Sequence, residues 1–132
     1  MLHFVSLLVL KQYQICLTGG PCGGKSTALS LLTRRLQSLG FQIFIVPEAA
    51  TLLFNGGFSY DGSTIHSELA FEANKIKTQI ALEDAFMNLA KMSKKPTVII
   101  CDRGTMDSRA YIGIEKWHIL LRVSRERVLG DR

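Results

Sequence analysis

The sequence predicts one α/β domain in which helices pack on both faces of a parallel β-sheet. Short apolar runs of β-forming residues alternate with longer segments whose apolar residues recur every three or four positions. This alternation is typical of parallel sheets with right-handed crossover connections. The chain has 132 residues, of which 47% are hydrophobic and 20% charged, so it can bury one core and is unlike a disordered or fibrous chain.

The predicted elements alternate from residue 14 onward. Each of the first two helical segments carries an apolar stripe, and Gly40 and Pro96 follow them as helix-ending residues. A segment rich in turn-forming residues predicts a loop at 55–66. The strands are predicted at 14–18, 41–46 and 97–101, and the helical segments at 25–39, 67–92 and 108–121.

The N-terminus and the cysteines bear on the compartment of the protein. The apolar run from Phe4 to Leu10 lacks the basic start and cleavage site of a secretory signal and is far too short to span a bilayer. Three cysteines without metal-ligand spacing are typical of free thiols in a reducing compartment, which favours a cytoplasmic protein. In the predicted order of strands and loops, Cys22 and Cys101 can come near each other, but the spacing of the cysteines does not indicate a disulfide framework.

The most informative segment lies between the first predicted strand and the first predicted helix. Residues 19–27 read G-G-P-C-G-G-K-S-T and match the phosphate-binding pattern G-x-x-x-x-G-K-[ST], the Walker A motif. Glycines let the backbone approach a phosphate closely, and the loop N–H groups and the positive end of the helix favour an anion. In such a loop Lys25 reaches the terminal phosphates and the Ser26 hydroxyl binds Mg²⁺, whereas the alternative is a connecting turn. The candidate nucleotide-binding residues are Gly19, Gly20, Pro21, Cys22, Gly23, Gly24, Lys25, Ser26 and Thr27.

Charged residues follow the second and third predicted strands and complete the set of candidate catalytic residues with Lys25. Because ligands of parallel α/β sheets bind at the carboxyl ends of strands, we expect Glu48, Asp102 and Arg103 at the site. Asp102 is a candidate Mg²⁺ ligand with Ser26, and Arg103 is a candidate contact to substrate or phosphate. Glu48 is a candidate base for an acceptor hydroxyl. The alternatives are a turn or N-cap for Asp102, a surface ion pair for Arg103 and a first-turn helix position for Glu48.

Other residues carry weaker signals. Asp107 is favoured as an N-cap, and Cys22 is either a redox-active thiol near a helix N-terminus or a small loop residue, the simpler interpretation. The three histidines are isolated and indicate no metal site.

Six of the sixteen Lys and Arg residues lie in the last 24 residues, so the net charge of +5 is weak evidence for a nucleic-acid groove. The segment N-K-I-K from residue 74 lacks the aspartate of the guanine motif N-K-x-D, which leaves the base preference open.

Three segments closely resemble one family of P-loop proteins. They read L-T-G-G-P-C-G-G-K-S-T at 17–27, V-P-E-A-A-T-L-L at 46–53 and V-I-I-C-D-R-G-T-M-D-S-R-A-Y-I at 98–112. The chain thereby resembles the NadR-like ATPase domain of eukaryotic proteins related to the TRPL translocation defect protein. The resemblance implies a three-layer, kinase-like P-loop fold that binds ATP or GTP with Mg²⁺. It also implies a link to phosphoinositide binding and to membrane-protein trafficking, and it assigns the loop, the acid at 48 and the D-R pair at 102–103 to the site.

The chain departs from that family after Trp117. A kinase-type P-loop sheet normally has five strands with the first in the centre, whereas only three are predicted here, so we expect a C-terminally truncated form with an open edge beside the first strand. The predicted organisation is an apolar extension at 1–12, a partial P-loop domain at 13–117 and a divergent basic tail at 118–132. The function is predicted to be nucleoside-triphosphate binding, with phosphoryl transfer undecided. The alternatives are a non-catalytic, nucleotide-dependent binding or trafficking module and an inactive truncated form; no nucleic-acid partner is expected.

Overall fold

The computed structural model describes residues 10–19, 23–59, 64–105 and 107–130. Within these ranges strands and helices alternate in the predicted order, with one additional short helix after the second strand. That helix starts just after Pro47 and ends where the predicted loop begins. The elements are β1 (Gln12–Leu17), α1 (Lys25–Ser38), β2 (Gln42–Val46), α2 (Ala49–Asn55), α3 (Ile65–Lys91), β3 (Thr97–Asp102) and α4 (Asp107–Gly130).

The strands form one parallel sheet in the order β1-β3-β2. The crossover from β1 to β2 and the crossover from β2 to β3 run in opposite directions across the sheet. Right-handed connections therefore place α1 and α3 on opposite faces. The predicted α/β class and three-stranded sheet are confirmed, and β1 lies at an edge of the described sheet while β3 lies in its centre.

The main core lies between the centre of the sheet and α3. Residues Thr97 to Cys101 are all buried, as expected for a parallel strand covered on both faces. On one face Val46, Ile99 and Cys101 pack with Ala90 of α3, and partly buried aromatic and aliphatic side chains surround them. The edge strand contributes less to the core, since its residues are exposed or only half-buried.

The last helix adds a second apolar cluster on α3. It bends at Gly113, whose φ of +78° and ψ of 166° are non-helical and within the freedom of a residue without Cβ. The helix continues to Gly130, beyond the predicted end near residue 121. The contacts that hold it involve Ile112, Trp117 and Leu120 of α4 and Leu69, Ala73 and Ile76 of α3.

The predicted N-terminal extension and the question of a membrane-spanning helix can be compared with the described residues. Residues 1–9 of the predicted apolar extension lie outside the described residues, and β1 begins at Gln12. Among the described helices, none combines the length and the apolar character that crossing a bilayer requires.

Candidate functional site

The predicted phosphate loop leads from β1 into α1, and the structure describes both of its ends. Gly19 has a φ of +148° and Gly24 a φ of +75°, conformations that a side chain at these positions would strain. The Lys25 Nζ donates a hydrogen bond to the Gly19 carbonyl at 3.2 Å, so the lysine spans the mouth of the loop. The predicted members Gly20, Pro21 and Cys22 lie outside the described residues.

The start of α1 suits an anion. Gly24 is the N-cap residue, none of the described side chains caps the helix, and its first turn contains no acidic residue. The partial positive charge of the N-terminus is therefore not neutralised from within the helix. The 14-residue helix also exposes Ser26 and Thr27 in this first turn. These features provide a site for a phosphate group.

Asp102 lies at the carboxyl end of the central strand. Its Cα pairs in register with that of Leu17, the last residue of β1, so the acid lies beside the strand that enters the loop. Side chains of register partners on neighbouring strands point to the same face of a sheet, so Asp102 and Leu17 share a face. Because successive residues of a strand alternate, the side chain of Cys101 points to the other face. Asp102 is half-buried. The predicted pairing of this acid with the start of α1 is compatible with the topology, which brings both to one end of the sheet.

Arg103 is held in an unusual conformation by three elements. Its φ of +74° lies in the left-handed region that side chains rarely adopt. Its backbone N–H donates to the Leu17 carbonyl at 3.0 Å, and its Nε lies 2.9 Å from Glu48 Oε1. The guanidinium lies 5.3 Å from the centre of the Tyr111 ring and also contacts the Tyr111 hydroxyl. Contacts that maintain a strained backbone at a ligand-binding edge are typical of functional sites.

The Glu48–Arg103 pair is thus more than a surface ion pair. The two side chains are 30% and 18% exposed, and Nε is buried without an aligned hydrogen bond, so the attraction is mainly electrostatic. Thr51 Oγ1 donates to the other carboxylate oxygen of Glu48 at 3.2 Å. Glu48 is also the N-cap residue of α2, although its side chain does not cap the helix. The structure thus brings Glu48 and Arg103 together where β2 and β3 end.

A buried polar stripe on α3 joins the two strand ends. Gln79 is 5% exposed, and its Nε2 donates to Glu83 at 2.9 Å and to the Arg103 carbonyl at 3.4 Å. Its Oε1 accepts a long hydrogen bond of 3.4 Å from the Ala49 N–H at the start of α2. Gln79 therefore links the turn after β2 to the turn after β3.

A second polar pair on α3 lies beside the same turns. Glu72 is 5% exposed and accepts a hydrogen bond of 2.7 Å from Lys75 Nζ. Lys75 also lies 5.6 Å from the ring centres of Phe71 and Tyr111. Tyr111 therefore contacts both cations of the site.

These residues surround a cavity of about 270 Å³ at the carboxyl end of the sheet. Aromatic rings from α2, α3 and α4 form part of its wall. The polar part of the wall contains two ion pairs, Glu48 with Arg103 and Glu72 with Lys75, and a third carboxylate, Asp107. A volume below about 300 Å³ suits a small molecule rather than a peptide. The residues discussed above that line it are Glu48, Phe71, Glu72, Lys75, Gln79, Arg103 and Tyr111.

Sequence reasoning missed the α3 part of this wall, although a signal was present. Lys75 follows Glu72 by three positions and Gln79 follows it by seven. This spacing places the three polar residues on one face of the helix. Polar residues at core spacing inside a helix that is otherwise amphipathic indicate a polar site under that helix. Tyr111 had no comparable signal, because its role depends on the position of Arg103.

Asp107 connects the cavity to the phosphate loop. It is the first residue of α4 and accepts hydrogen bonds from Thr18 Oγ1 at 3.0 Å and from the Gly104 N–H at 3.4 Å. Its own N–H donates to the Gly104 carbonyl at 3.0 Å. The favoured N-cap interpretation is close to the observed position at the helix start, but the side chain ties together the turns after β1 and β3.

Two thiols lie in the sheet beneath these turns. Burial raises the pKa of the Cys16 thiol, and the nearby Asp107 carboxylate and Cys101 add to the rise. Burial also raises the pKa of Cys101, and the hydrogen bond from Gln14 opposes that effect. Both are free cysteines. Cys22, the other cysteine that can come near Cys101, lies outside the described residues.

Comparison with known proteins identifies the family to which the chain belongs. No curated protein and no solved structure shows significant similarity to the chain. A family model described as an AAA domain matches residues 14–125, which contain all of the described sheet except the first residues of β1. From this match over most of its length, the chain belongs to that AAA domain family and is a P-loop nucleotide-binding domain.

Proposed function

We propose that the protein binds a magnesium complex of ATP or GTP through residues 19–27. The observation that carries this proposal is the start of α1, where a left-handed glycine, an unneutralised helix N-terminus and Lys25 meet. Backbone N–H groups and a helix dipole favour the phosphate oxygens, and the lysine adds a full positive charge. Lys25 would exchange the Gly19 carbonyl for a terminal phosphate of the nucleotide.

Ser26 and Asp102 fit the proposed Mg²⁺. Mg²⁺ prefers oxygen ligands and keeps several waters, so a hydroxyl, a carboxylate and two phosphates are a suitable donor set. No group of three or more His, Cys, Asp or Glu side chains in the described parts of the chain forms a metal site on its own. The proposed metal therefore depends on the nucleotide for its binding, as in other P-loop proteins.

Equilibrium titration with fluorescent ATP and GTP analogues, with and without Mg²⁺, tests this function. We expect saturable binding that weakens when Mg²⁺ is replaced by a chelator, because the phosphates then lose their bridge to Ser26 and Asp102. The ratio of the two affinities identifies the preferred base. A chain that unfolds cooperatively but binds neither analogue would contradict the proposal.

The cavity favours phosphoryl transfer to a small acceptor as a second function of the same site. A nucleotide-dependent binding module without catalysis needs no cavity between Glu48 and the end of β3. Here a cavity of about 270 Å³ contains the carboxylate of Glu48 and the guanidinium of Arg103 in its wall. Asp107 connects that wall to Thr18, at the start of the loop that would hold the nucleotide.

In this reaction each residue has a defined part. The Glu48 carboxylate accepts the proton of an acceptor hydroxyl as the hydroxyl oxygen bonds to the γ-phosphorus. The bond from the γ-phosphorus to the bridging oxygen breaks, and the nucleoside diphosphate leaves. Arg103 holds Glu48 in place through the 2.9 Å contact, and Lys25 stabilises the charge on the transferred group.

We expect Glu48→Gln to retain nucleotide binding and to lose turnover. The amide cannot accept the proton, so phosphoryl transfer should fall by about 10²–10⁴-fold while nucleotide affinity changes by less than about twofold. The measurement starts with a thermal-shift screen of small hydroxylated molecules in the presence of a non-hydrolysable nucleotide. Molecules that stabilise the protein are then tested as acceptors with radiolabelled ATP or GTP.

Glu115→Gln is the matched control for this substitution. Glu115 is exposed on α4, and its variant should transfer phosphate at the wild-type rate. If molecules bind in the cavity and none is phosphorylated by the wild-type chain, the transfer function is wrong. The non-catalytic module, including the trafficking role that the family resemblance implies, would then be favoured.

A further inference from the structure

Cys16 and Cys101 lie side by side on neighbouring strands. They are register partners of the parallel β1–β3 pair, so their side chains point to the same face of the sheet. Neighbouring strands are about 4.8 Å apart, which is within the range of about 4.4–6.8 Å that a disulfide allows between two Cα atoms. Both thiols are free.

One thiol of the pair is open to reagents and the other is protected. Cys16 is exposed, whereas Cys101 is 1% exposed and accepts a hydrogen bond of 3.4 Å from Gln14 Nε2. β1 has a strand on one side only in the described sheet, so a local adjustment of β1 disturbs one ladder and not two. Cys16 is therefore the thiol that a reagent reaches first, and Cys101 is the one that completes the bond. Because the pKa of both thiols is raised, the exchange should be faster at alkaline pH, where more thiolate is present.

We propose that Cys16 and Cys101 form a redox-active dithiol that is closed by low-molecular-weight disulfides such as oxidised glutathione. The Cys16 sulfur bonds to one sulfur of glutathione disulfide, the disulfide bond breaks, and one glutathione leaves with the proton of Cys16. The Cys101 sulfur then bonds to the Cys16 sulfur and displaces the second glutathione, which takes the proton of Cys101. The dithiol is oxidised by two electrons and the glutathione disulfide is reduced to two thiols.

The position of the pair couples this reaction to the site. Cys101 directly precedes Asp102 and Arg103, and Cys16 lies two residues before Thr18, at the entrance to the phosphate loop. A Cβ at Gly104 would lie 2.7 Å from the Cys16 sulfur, so that sulfur packs against the turn after β3. Movement of the sulfur toward Cys101 removes this support. We expect the disulfide to lower nucleotide affinity, a consequence that rests on the proposed function.

Disulfide mapping on the full chain tests the pair directly. The native protein is incubated with oxidised glutathione, free thiols are alkylated, and the product is digested and analysed by mass spectrometry. We expect a loss of two hydrogens and a bond between the peptides that contain Cys16 and Cys101. The bond should form equally in Cys22→Ser and be absent from Cys16→Ser and Cys101→Ser.

Three results would overturn the dithiol. They are a bond that includes Cys22, a glutathione adduct on Cys16 that is never displaced, and native protein that keeps all three thiols. A separate titration of the wild-type chain, oxidised until the Cys16–Cys101 bond is mapped and then re-reduced, tests the coupling. We expect affinity to fall about fivefold or more on oxidation and to recover on reduction. An unchanged affinity with a mapped bond would refute the coupling alone. A reduced chain that binds no nucleotide refutes the proposed function. The disulfide-mapping experiment still tests the dithiol in that case, because it does not depend on nucleotide binding.

Discussion

Replacing Lys25 with alanine should lower the affinity for the magnesium nucleotide by about 10- to 100-fold, since a hydrogen bond to a charged group contributes about 1.5–3 kcal/mol. Lys25 begins α1, and its Nζ already lies at the mouth of the loop, 3.2 Å from the Gly19 carbonyl. Alanine keeps the helix because it has the highest helix propensity. The loss should therefore appear in binding and not in folding.

Lys77→Ala provides the matched control. Lys77 is an exposed lysine in the middle of α3, and its removal changes the net charge by the same amount. Titration with fluorescent ATP and GTP analogues should give wild-type affinity for this control and the large loss for Lys25→Ala. If both variants lost affinity equally, the attraction would be a general effect of net charge. If neither did, residues 19–27 would not be the nucleotide site.

Replacing Trp117 with alanine should lower the free energy of unfolding by about 3–5 kcal/mol, the range for truncating a large buried aromatic residue. Trp117 is 6% exposed and lies in the cluster that joins α4 to α3. Since domains of this size are stable by only about 5–15 kcal/mol, the variant should be close to unfolding at ordinary temperatures. Circular dichroism during urea unfolding measures the loss, because the variant contains no tryptophan for fluorescence.

Ile119→Ala and Trp117→Phe separate packing from other effects of changing α4. Ile119 is 43% exposed on the same helix, so its truncation should cost less than about 1 kcal/mol. Trp117→Phe keeps an aromatic ring in the cluster and should lie between the wild type and the alanine variant. Equal losses for Ile119→Ala and Trp117→Ala would show that the cluster does not hold α4 on α3.

Much of the fold was predictable because it depends on local rules. The strand at 97–102 begins with four β-branched residues, and a proline precedes it. The start of α1 is marked by Gly24 and Lys25, since the backbone of such a loop requires glycine. The family match later agreed with this part of the interpretation. The full length of α4 was less predictable, because its helix is interrupted at Gly113 and its described apolar cluster packs on α3.

The candidate site was also predictable only in part. Residues that follow strands, such as Glu48 and Arg103, were found because parallel strands end at a common edge of the sheet. Their ion pair, the left-handed backbone of Arg103 and the contact of its guanidinium with Tyr111 depend on how three separate elements are placed in space. No local pattern encodes those distances.

The sequence by itself determined the α/β class, the phosphate-loop motif and the order of elements, since each follows from spacing within a few residues. Only the tertiary structure decided that Gln79 links two strand ends, that Tyr111 contacts two cations and that Cys16 is the register partner of Cys101. The physical reason is that strand register and helix rotation are fixed by packing between residues far apart in the chain. A change of one residue in register would move Cys16 to the other face of the sheet.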